Sequence, residues 1–144
     1  MNKWDLLEKD STTARTLEKV LQEKLRIYDF IPIIFISALN RQRIYKLIDL
    51  VKSVDADQNR RIATNELNTL VGDEIRAYPP QSRTGKEVKI NYITQVRSKP
   101  PVFAFFCNDP KLIDDNYRRY LENKIRSHFA FTGVPIVLSF KKKN

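Results

Sequence analysis

Apolar positions in the first part of the chain follow two patterns. Four leucine and valine residues recur at helical spacing in a first segment, namely Leu17, Val20, Leu21 and Leu25. Ser11 or Thr12 is a candidate N-cap for this helix. Residues 31–36 form a nearly continuous apolar run, which is typical of a parallel strand buried on both faces. Helical spacing returns from residue 40 to residue 54, so the pattern predicts a helix, a buried strand and a helix that covers the strand.

The rest of the chain alternates between helical and strand patterns. A helix is predicted to begin at a Thr64 N-cap and to end before Pro79 and Pro80. Two β-rich runs, a long helix and a last strand follow, at 88–96, 102–108, 112–129 and 134–140. The predicted order is α-β-β-α-β. Helices kept apart from a small sheet in this way predict a two-layer α+β domain.

Length and charge narrow the class of protein. The chain has 144 residues, 42% of them hydrophobic, which suffices for one ordinary core or two small ones. A polar break at 55–59 sets the predicted boundary between a unit at 1–57 and a unit at 58–144. The formal charge of +9 favours a polyanionic partner. RNA is favoured over a membrane because no long apolar stretch occurs, and a merely solvated basic surface is the alternative.

The tetrapeptide Asn2-Lys3-Trp4-Asp5 has the Asn-Lys-x-Asp pattern with which GTP-binding proteins read guanine. In such a loop the Asp carboxylate accepts two parallel hydrogen bonds, from guanine N1–H and from the exocyclic amine. Adenine offers no matching pair of donors. Asp5 is therefore the candidate specificity residue, with Asn2 and Lys3 as its partners in the loop.

A second guanine-binding element follows the apolar run, where Ser37-Ala38 comes directly after Ile36. A Ser-Ala turn at the carboxyl end of a strand presents a backbone N–H to guanine O6, and ligands bind at strand carboxyl ends in open α/β sheets. We expect Ala38 to be that donor. The alternative is an ordinary small-residue turn that ends a buried strand.

Several other kinds of chemistry have no support in the sequence. A single Cys107 forms no internal disulfide and no secretory segment opens the chain, so we expect a cytoplasmic protein in which Cys107 packs as a small apolar residue. The lone His128 has no second ligand at metal-binding spacing. The three glycines do not cluster into a phosphate-binding loop. We therefore predict no metal site, no catalytic residue and no GTP hydrolysis by this chain.

Four segments together resemble the carboxyl-terminal domain of the bacterial GTPase Der family, also called EngA. The segments read Lys89-Ile90-Asn91-Tyr92-Ile93-Thr94-Gln95-Val96, Pro100-Pro101-Val102-Phe103, Tyr117-Arg118-Arg119-Tyr120-Leu121-Glu122-Asn123 and Gly133-Val134-Pro135-Ile136. The resemblance spans nearly the whole chain. It implies the end of a P-loop GTPase domain, an α/β remnant, followed by an α+β KH-like domain.

The resemblance also implies a function and its residues. Der proteins carry two tandem GTPase domains, bind GTP or GDP with magnesium, and act in assembly of the large ribosomal subunit. The expected guanine-binding residues are Asn2, Lys3, Asp5, Ser37 and Ala38. The expected partners are the large subunit, its rRNA and the remaining GTPase domains, and no membrane. Phosphate loop, switch segments and magnesium ligands have no counterpart in this chain.

Contacts with RNA are expected from basic side chains. A KH module usually clamps nucleic acid with a Gly-x-x-Gly loop, which this chain lacks. The candidate phosphate contacts are instead Arg83, Lys86, Lys89, Arg118, Arg119, Lys141, Lys142 and Lys143. We expect Tyr117, Tyr120 and Phe129 to be core residues rather than stacking platforms. The alternative to a Der-type function is a stand-alone RNA-binding adaptor without a nucleotide role.

Overall fold

The computed structural model describes residues 1–6, 12–25, 28, 30–81 and 85–143. Within them the helices are α1 (Thr13–Lys24), α2 (Ile44–Asn59), α3 (Thr64–Ala77) and α4 (Asp115–Phe129). The strands are β1 (Ile90–Ser98), β2 (Pro101–Cys107) and β3 (Val137–Lys142), and short 3-10 turns lie at Trp4–Leu6 and Pro110–Leu112. No described helix is long and apolar enough to cross a membrane.

The three strands form one mixed sheet in the order β1-β2-β3. β1 and β2 pair antiparallel, as neighbours joined by a tight turn do, whereas β2 and β3 pair parallel. A parallel pair needs a long crossover, and α4 supplies it. This arrangement of helices beside a small sheet confirms the α+β class. The observed strands begin and end within three residues of the predicted ones.

Helices α3 and α4 pack on one face of the sheet, the inner face. Each helix buries residues four apart, Leu67, Val71 and Ile75 on α3 and Leu121, Ile125 and Phe129 on α4. They meet Ile93, Phe103 and Phe105 from the strands in one apolar cluster. Burying a side chain of this size contributes about 1.5–3 kcal/mol. The core of the molecule therefore lies between 62 and 136.

Two amide side chains bond β1 to the segment 60–68. Asn68 on α3 donates to the carbonyl oxygen of Ile93 at 2.8 Å and accepts from its N–H at 2.9 Å. The buried Gln95 accepts from the N–H of Ile62 at 2.7 Å and donates to the carbonyl oxygen of Arg60 at 2.9 Å. Both side chains satisfy backbone groups that have no strand partner there.

The prediction of a regular strand at 31–36 is wrong. The segment is extended but carries no strand assignment. A strand requires a continuous ladder with a neighbour, and the pairing of this run with residues 1–4 comprises three hydrogen bonds. The N-terminal amine of Met1 donates to Ile34, Ile36 donates to Met1, and Trp4 donates to Ile36. An apolar run thus predicted extended backbone correctly but not its pairing.

Helix α2 differs from its prediction in length and in burial. The helix continues through Asn59, past the polar residues that were expected to interrupt it. The expected apolar cover is partial, because Ile48 and Val51 are exposed while Ile44, Leu47 and Val54 are half-buried. Thr64 is the first residue of α3 and not its N-cap, a position held by Ala63. Thr12 precedes α1 as expected, whereas Ser11 lies outside the described residues.

A polar joint connects α2 to the turn between α4 and β3. The buried carboxylate of Asp57 accepts from the N–H of Thr132 at 3.0 Å and pairs with Arg60 at 2.9 Å. Arg60 in turn donates to the carbonyl oxygen of Phe129 at 2.7 Å. The N–H of Gly133 donates to Phe30 at 2.7 Å. These bonds fix the first part of the chain against the second.

Candidate functional site

The two segments with guanine-reading patterns lie side by side. The backbone of Met1 bonds to Ile34 and to Ile36, an arrangement found in parallel strands. Trp4 is buried and its ring packs on Phe35, with centroids 4.8 Å apart. The guanidinium of Arg43 lies 5.7 Å from the Trp4 ring. Apolar packing and backbone pairing therefore bring residues 1–6 to the end of the 31–36 run.

Side-chain hydrogen bonds link these segments directly. Asn2 Oδ1 accepts from the N–H of Ala38 at 3.1 Å and from the N–H of Lys3 at 2.7 Å. The hydroxyl of the fully buried Ser37 donates to a carboxylate oxygen of Asp5. The five residues predicted to bind guanine thus lie close together, and we call Asn2, Lys3, Asp5, Ser37 and Ala38 the candidate guanine half-site.

The turn after Ser37 is held by its own bonds. Ser37 and Gln42 exchange backbone hydrogen bonds at 2.9 and 3.3 Å, which closes a short loop. The Ser37 hydroxyl oxygen also accepts from the N–H of Asn40 at 3.2 Å. Lys3 has a φ of 64°, a left-handed conformation that is uncommon outside glycine. Both loops of the half-site therefore have defined backbone shapes.

The predicted basic residues gather mainly at one end of the sheet. Lys89 exchanges bonds with Asn108 just before β1, its N–H donating to the Asn108 side chain and its carbonyl oxygen accepting the Asn108 N–H. The N–H of Lys143 donates to Cys107 at 2.9 Å. Because Cys107 and Asn108 are consecutive, both lysines flank the end of β2. We call Lys89, Lys141, Lys142 and Lys143 the basic end of the sheet.

The other basic candidates are placed differently. Arg118 Nε donates to the carbonyl oxygen of Ile113 at 3.3 Å, and its guanidinium lies 4.6 Å from the Phe140 ring centroid. Packing thus occupies part of this side chain. Arg119 is exposed on α4 beside a shallow cavity of about 260 Å³ that it shares with Asp115 and Glu122. Lys86 is exposed, and Arg83 lies outside the described residues.

The tyrosines of α4 serve the core, as expected. Tyr117 and Tyr120 pack against the apolar cluster, and Phe129 is buried in it. The Tyr117 hydroxyl donates to the carbonyl oxygen of Tyr78 at 2.7 Å. Burial is the main reason that the pKa of Tyr117 lies well above its usual value. Cys107 is also fully buried, at the end of β2, and desolvation raises the pKa of its thiol.

Sequence reasoning missed an ionic cluster between α3 and α4. Glu74 pairs with Lys124 at 2.7 Å and lies 3.2 Å from His128 Nε2. The hydrogen bond from Lys124 is the largest cause that lowers the pKa of Glu74. No sequence signal joins these residues, because they are 50 or more positions apart. Among the described residues no group of three or more His, Cys, Asp or Glu could hold a metal ion.

Comparison with known proteins decides the family. Residues 61–141 match the family described as the KH-domain-like family of EngA bacterial GTPase enzymes, C-terminal. That match covers more than half of the chain. The chain belongs to this EngA, or Der, family. The resemblance seen in the sequence is therefore confirmed.

Relatives of the Der family match almost the entire chain. The chain is 48% identical to GTPase Der of Chloroherpeton thalassium, 46% to that of Caldanaerobacter subterraneus and 45% to that of Chlorobium luteolum. Each match covers 143 residues, 99% of the chain and 33% of the relative. The chain thus spans about a third of the length of these Der proteins. It corresponds to their carboxyl-terminal part.

Proposed function

We propose that this chain is the carboxyl-terminal part of a Der-type GTP-binding protein that acts in assembly of the large ribosomal subunit in the cytoplasm. Residues 1–57 supply the guanine half-site and residues 58–144 form the KH-like module that contacts rRNA. The observation that carries the proposal is the pair of hydrogen bonds from Ala38 to Asn2 and from Ser37 to Asp5. These bonds join the two segments that carry guanine-reading patterns, which supports the proposal.

In this proposal the half-site reads the base and other residues hold the phosphates. The Asp5 carboxylate accepts from guanine N1–H and from the exocyclic amine. The Ala38 N–H turns from Asn2 Oδ1 to guanine O6. GTP affinity also depends on backbone N–H groups and magnesium around the phosphates, which the remaining GTPase domains would supply. This chain alone therefore binds guanine nucleotides weakly and does not turn GTP over.

Exposed apolar side chains support the need for further protein. Leu39 is 82% exposed, Tyr45 83% and Val51 59%, and all three lie between the half-site and the middle of α2. A group of large apolar side chains left open to water marks a contact surface. The rest of a GTPase domain is the partner that this part of the molecule would meet.

Base selectivity tests the nucleotide part of the proposal. With millimolar GDP added to the labelled chain, the backbone NMR signals of Ala38 and Asp5 should shift, and ADP should shift them less. Asp5→Ala should remove the difference between the two nucleotides, whereas Asp49→Ala on the exposed side of α2 should preserve it. Identical shifts with GDP and ADP would contradict the half-site. GTP turnover that Asp5→Ala abolishes would contradict the absence of hydrolysis.

Particle binding tests the RNA part. Replacing Arg83, Lys86 and Lys89 together by Ala should weaken binding to large ribosomal subunits and reduce the slope of log affinity against log salt. The fold should persist, since exposed charges contribute little to stability. A matched control replaces three exposed lysines elsewhere, Lys19, Lys46 and Lys52. If both triple variants bind alike, the contact lies elsewhere, and the next variants replace Arg118, Arg119 and the lysines at 141–143.

A second candidate function is an RNA-binding adaptor without a nucleotide role. The hydrogen bonds within the half-site are compatible with it, because they already occupy the Ala38 N–H and one carboxylate oxygen of Asp5 within the protein. The two candidate functions differ in whether guanine nucleotide changes the affinity for RNA. RNA binding indifferent to added GTP and GDP supports the adaptor, and an effect of guanine nucleotide that Asp5→Ala removes supports the Der-type function.

A further inference from the structure

The face of the sheet opposite the two helices has an ordered arrangement of side chains. Direct neighbours across strands share a face, so the register gives three rows across this outer face. The rows are Tyr92–Phe106–Lys141, Thr94–Ala104–Ser139 and Arg97–Val102–Val137. The first row is an aromatic pair with a lysine. The second row has small residues, and the third is an apolar pair with an arginine.

The Tyr92–Phe106 pair can accept a further stacked ring. The rings of Tyr92 and Phe106 lie 4.3 Å apart and within 10° of parallel, so Phe106 covers one face of Tyr92. Tyr92 nevertheless remains 38% exposed. A planar group placed on its other face would continue an existing stack of two rings. Nucleobases stack on aromatic side chains in this manner whatever their sequence.

The middle row of the outer face is made of small side chains. Ala104 has no exposed surface, and Thr94 and Ser139 on either side of it are half-buried. The Thr94 hydroxyl lies 3.1 Å from that of Thr64, which holds it at the edge. The middle row therefore consists of short side chains between two bulkier rows.

The charge of this face has one sign. The three outer-face rows contain Arg97 and Lys141, and none of the three strands has an acidic residue. The aromatic row ends in Lys141, which belongs to the basic end of the sheet. Stacking surface and positive charge are therefore adjacent, which fits a ligand that carries bases and phosphates together.

We propose that the outer face binds single-stranded RNA, with a base stacked on the Tyr92–Phe106 pair and the phosphates running past Lys141 to the basic end. This rests on the proposed contact with rRNA and names its surface. A protein partner is disfavoured because the row of small residues and the uniform positive charge suit an unstacked strand. In a duplex the bases are stacked inside the helix, so a duplex would contact only the charged side chains of this face.

Labelled oligonucleotides test the proposal. Fluorescence anisotropy should show that a ten-nucleotide oligouridylate binds the chain more tightly than an RNA duplex of the same length. Tyr92→Leu should weaken single-strand binding by about fivefold or more, since each stacked base contributes an effect of that size. Lys141→Gln should reduce the slope of log affinity against log salt by about the amount expected for one phosphate contact.

Matched variants separate this site from general charge and from misfolding. Tyr45→Leu removes an exposed tyrosine from α2, and Lys46→Gln removes an exposed lysine there. Both should bind the oligonucleotide like the unchanged chain, and circular dichroism should show that all four variants fold. Should Tyr92→Leu lose binding because it unfolds, Tyr92→Phe, which keeps the ring, must retain full affinity.

The outcomes distinguish this inference from the function on which it rests. Equal affinity of Tyr92→Leu and Tyr45→Leu for the oligonucleotide would overturn the sheet-face site, even if ribosomal subunits still bind. Equal binding of duplex and single strand would overturn it as well. Conversely, Tyr92-dependent oligonucleotide binding without any subunit binding would support the face and refute the ribosomal function.

Discussion

At the scale of single residues, polar side chains buried between elements specify how this molecule fits together. Asp57 is buried because it has two partners, Arg60 and the N–H of Thr132. Arg126 donates to the carbonyl oxygens of Phe131 and Val134 and lies over the Phe30 ring at 4.0 Å. A buried charge is tolerated only when it is paired in this way. These contacts define the joint more sharply than apolar packing does.

The ion pair of Glu74 predicts a pH dependence of stability. Because its pKa in the folded protein is lowered below the ordinary 4.5, mainly by Lys124, its stabilising effect is present above that value. The effect disappears as pH falls through the lowered pKa. In thermal unfolding, the melting temperature of the unchanged chain should exceed that of Glu74→Gln at pH 7, and the difference should shrink below pH 4.5.

A control for this prediction is Glu87→Gln, which alters an exposed carboxylate before β1. The melting temperature of this variant should match that of the unchanged chain from pH 7 to pH 3. A difference between the unchanged chain and Glu74→Gln that is constant from pH 7 to pH 3 would show that the ion pair does not stabilise the fold.

At the scale of elements, burial is very unequal among helices of similar length. The 12 residues of α1 include none that is buried, whereas the 15 residues of α4 bury Leu121, Ile125 and Phe129. Isolated helices of this size are marginal in water, so packing decides whether they persist. Helix α1 therefore belongs to the least stable part of the described chain.

Amide hydrogen exchange should show this difference directly. Amides of α1 should exchange at rates near those of local fraying, and amides of α4 and of β2 should exchange only on global unfolding. If residues 1–57 belong to a GTPase domain as proposed, adding the rest of that domain should slow exchange in α1 and leave exchange in α4 and β2 unchanged. Equal protection of α1 and α4 in this chain would contradict the inequality.

Periodicity predicted most elements because it reports which face of an element is buried. The spacing of Leu67, Val71 and Ile75 is enough to identify α3. The run at 31–36 shows where this reasoning ends, since strand pairing depends on neighbours that the run itself does not specify. Gln95 and Asn68 are similar cases, because their partners are backbone groups more than 20 residues away. The two motifs of the half-site could be recognised because each is local in the sequence, and their role in binding guanine stays a prediction.

At the scale of the whole molecule, the turn at Gly133 joins the two parts of the chain. Gly133 has a φ of 71°, and a Cβ there would lie 2.8 Å from Val54 and 3.2 Å from Pro32. Gly85 has a nearly equal φ of 72°, but no described atom lies within 4 Å of where its Cβ would be. The two glycines share a backbone conformation and differ in their surroundings.

Replacing each glycine by alanine therefore measures how much the contacts around Gly133 stabilise the fold. Gly85→Ala should cost about 1 kcal/mol of the free energy of unfolding through backbone strain alone. Gly133→Ala should cost about 1–3 kcal/mol more, because Val54 and Pro32 must also move. Urea denaturation measures both. Equal losses for the two variants would mean that the parts of the chain are held together elsewhere.

The amide side chain of Asn68 has a consequence for self-association. An edge strand with free N–H and C=O groups is a template on which another chain can extend the sheet. By taking both backbone groups of Ile93, Asn68 closes that template in the middle of β1. The opposite edge, β3, ends in consecutive lysines that would repel the same strand of a second copy. The sheet can thus leave one broad face open to water at high concentration without growing sideways into aggregates.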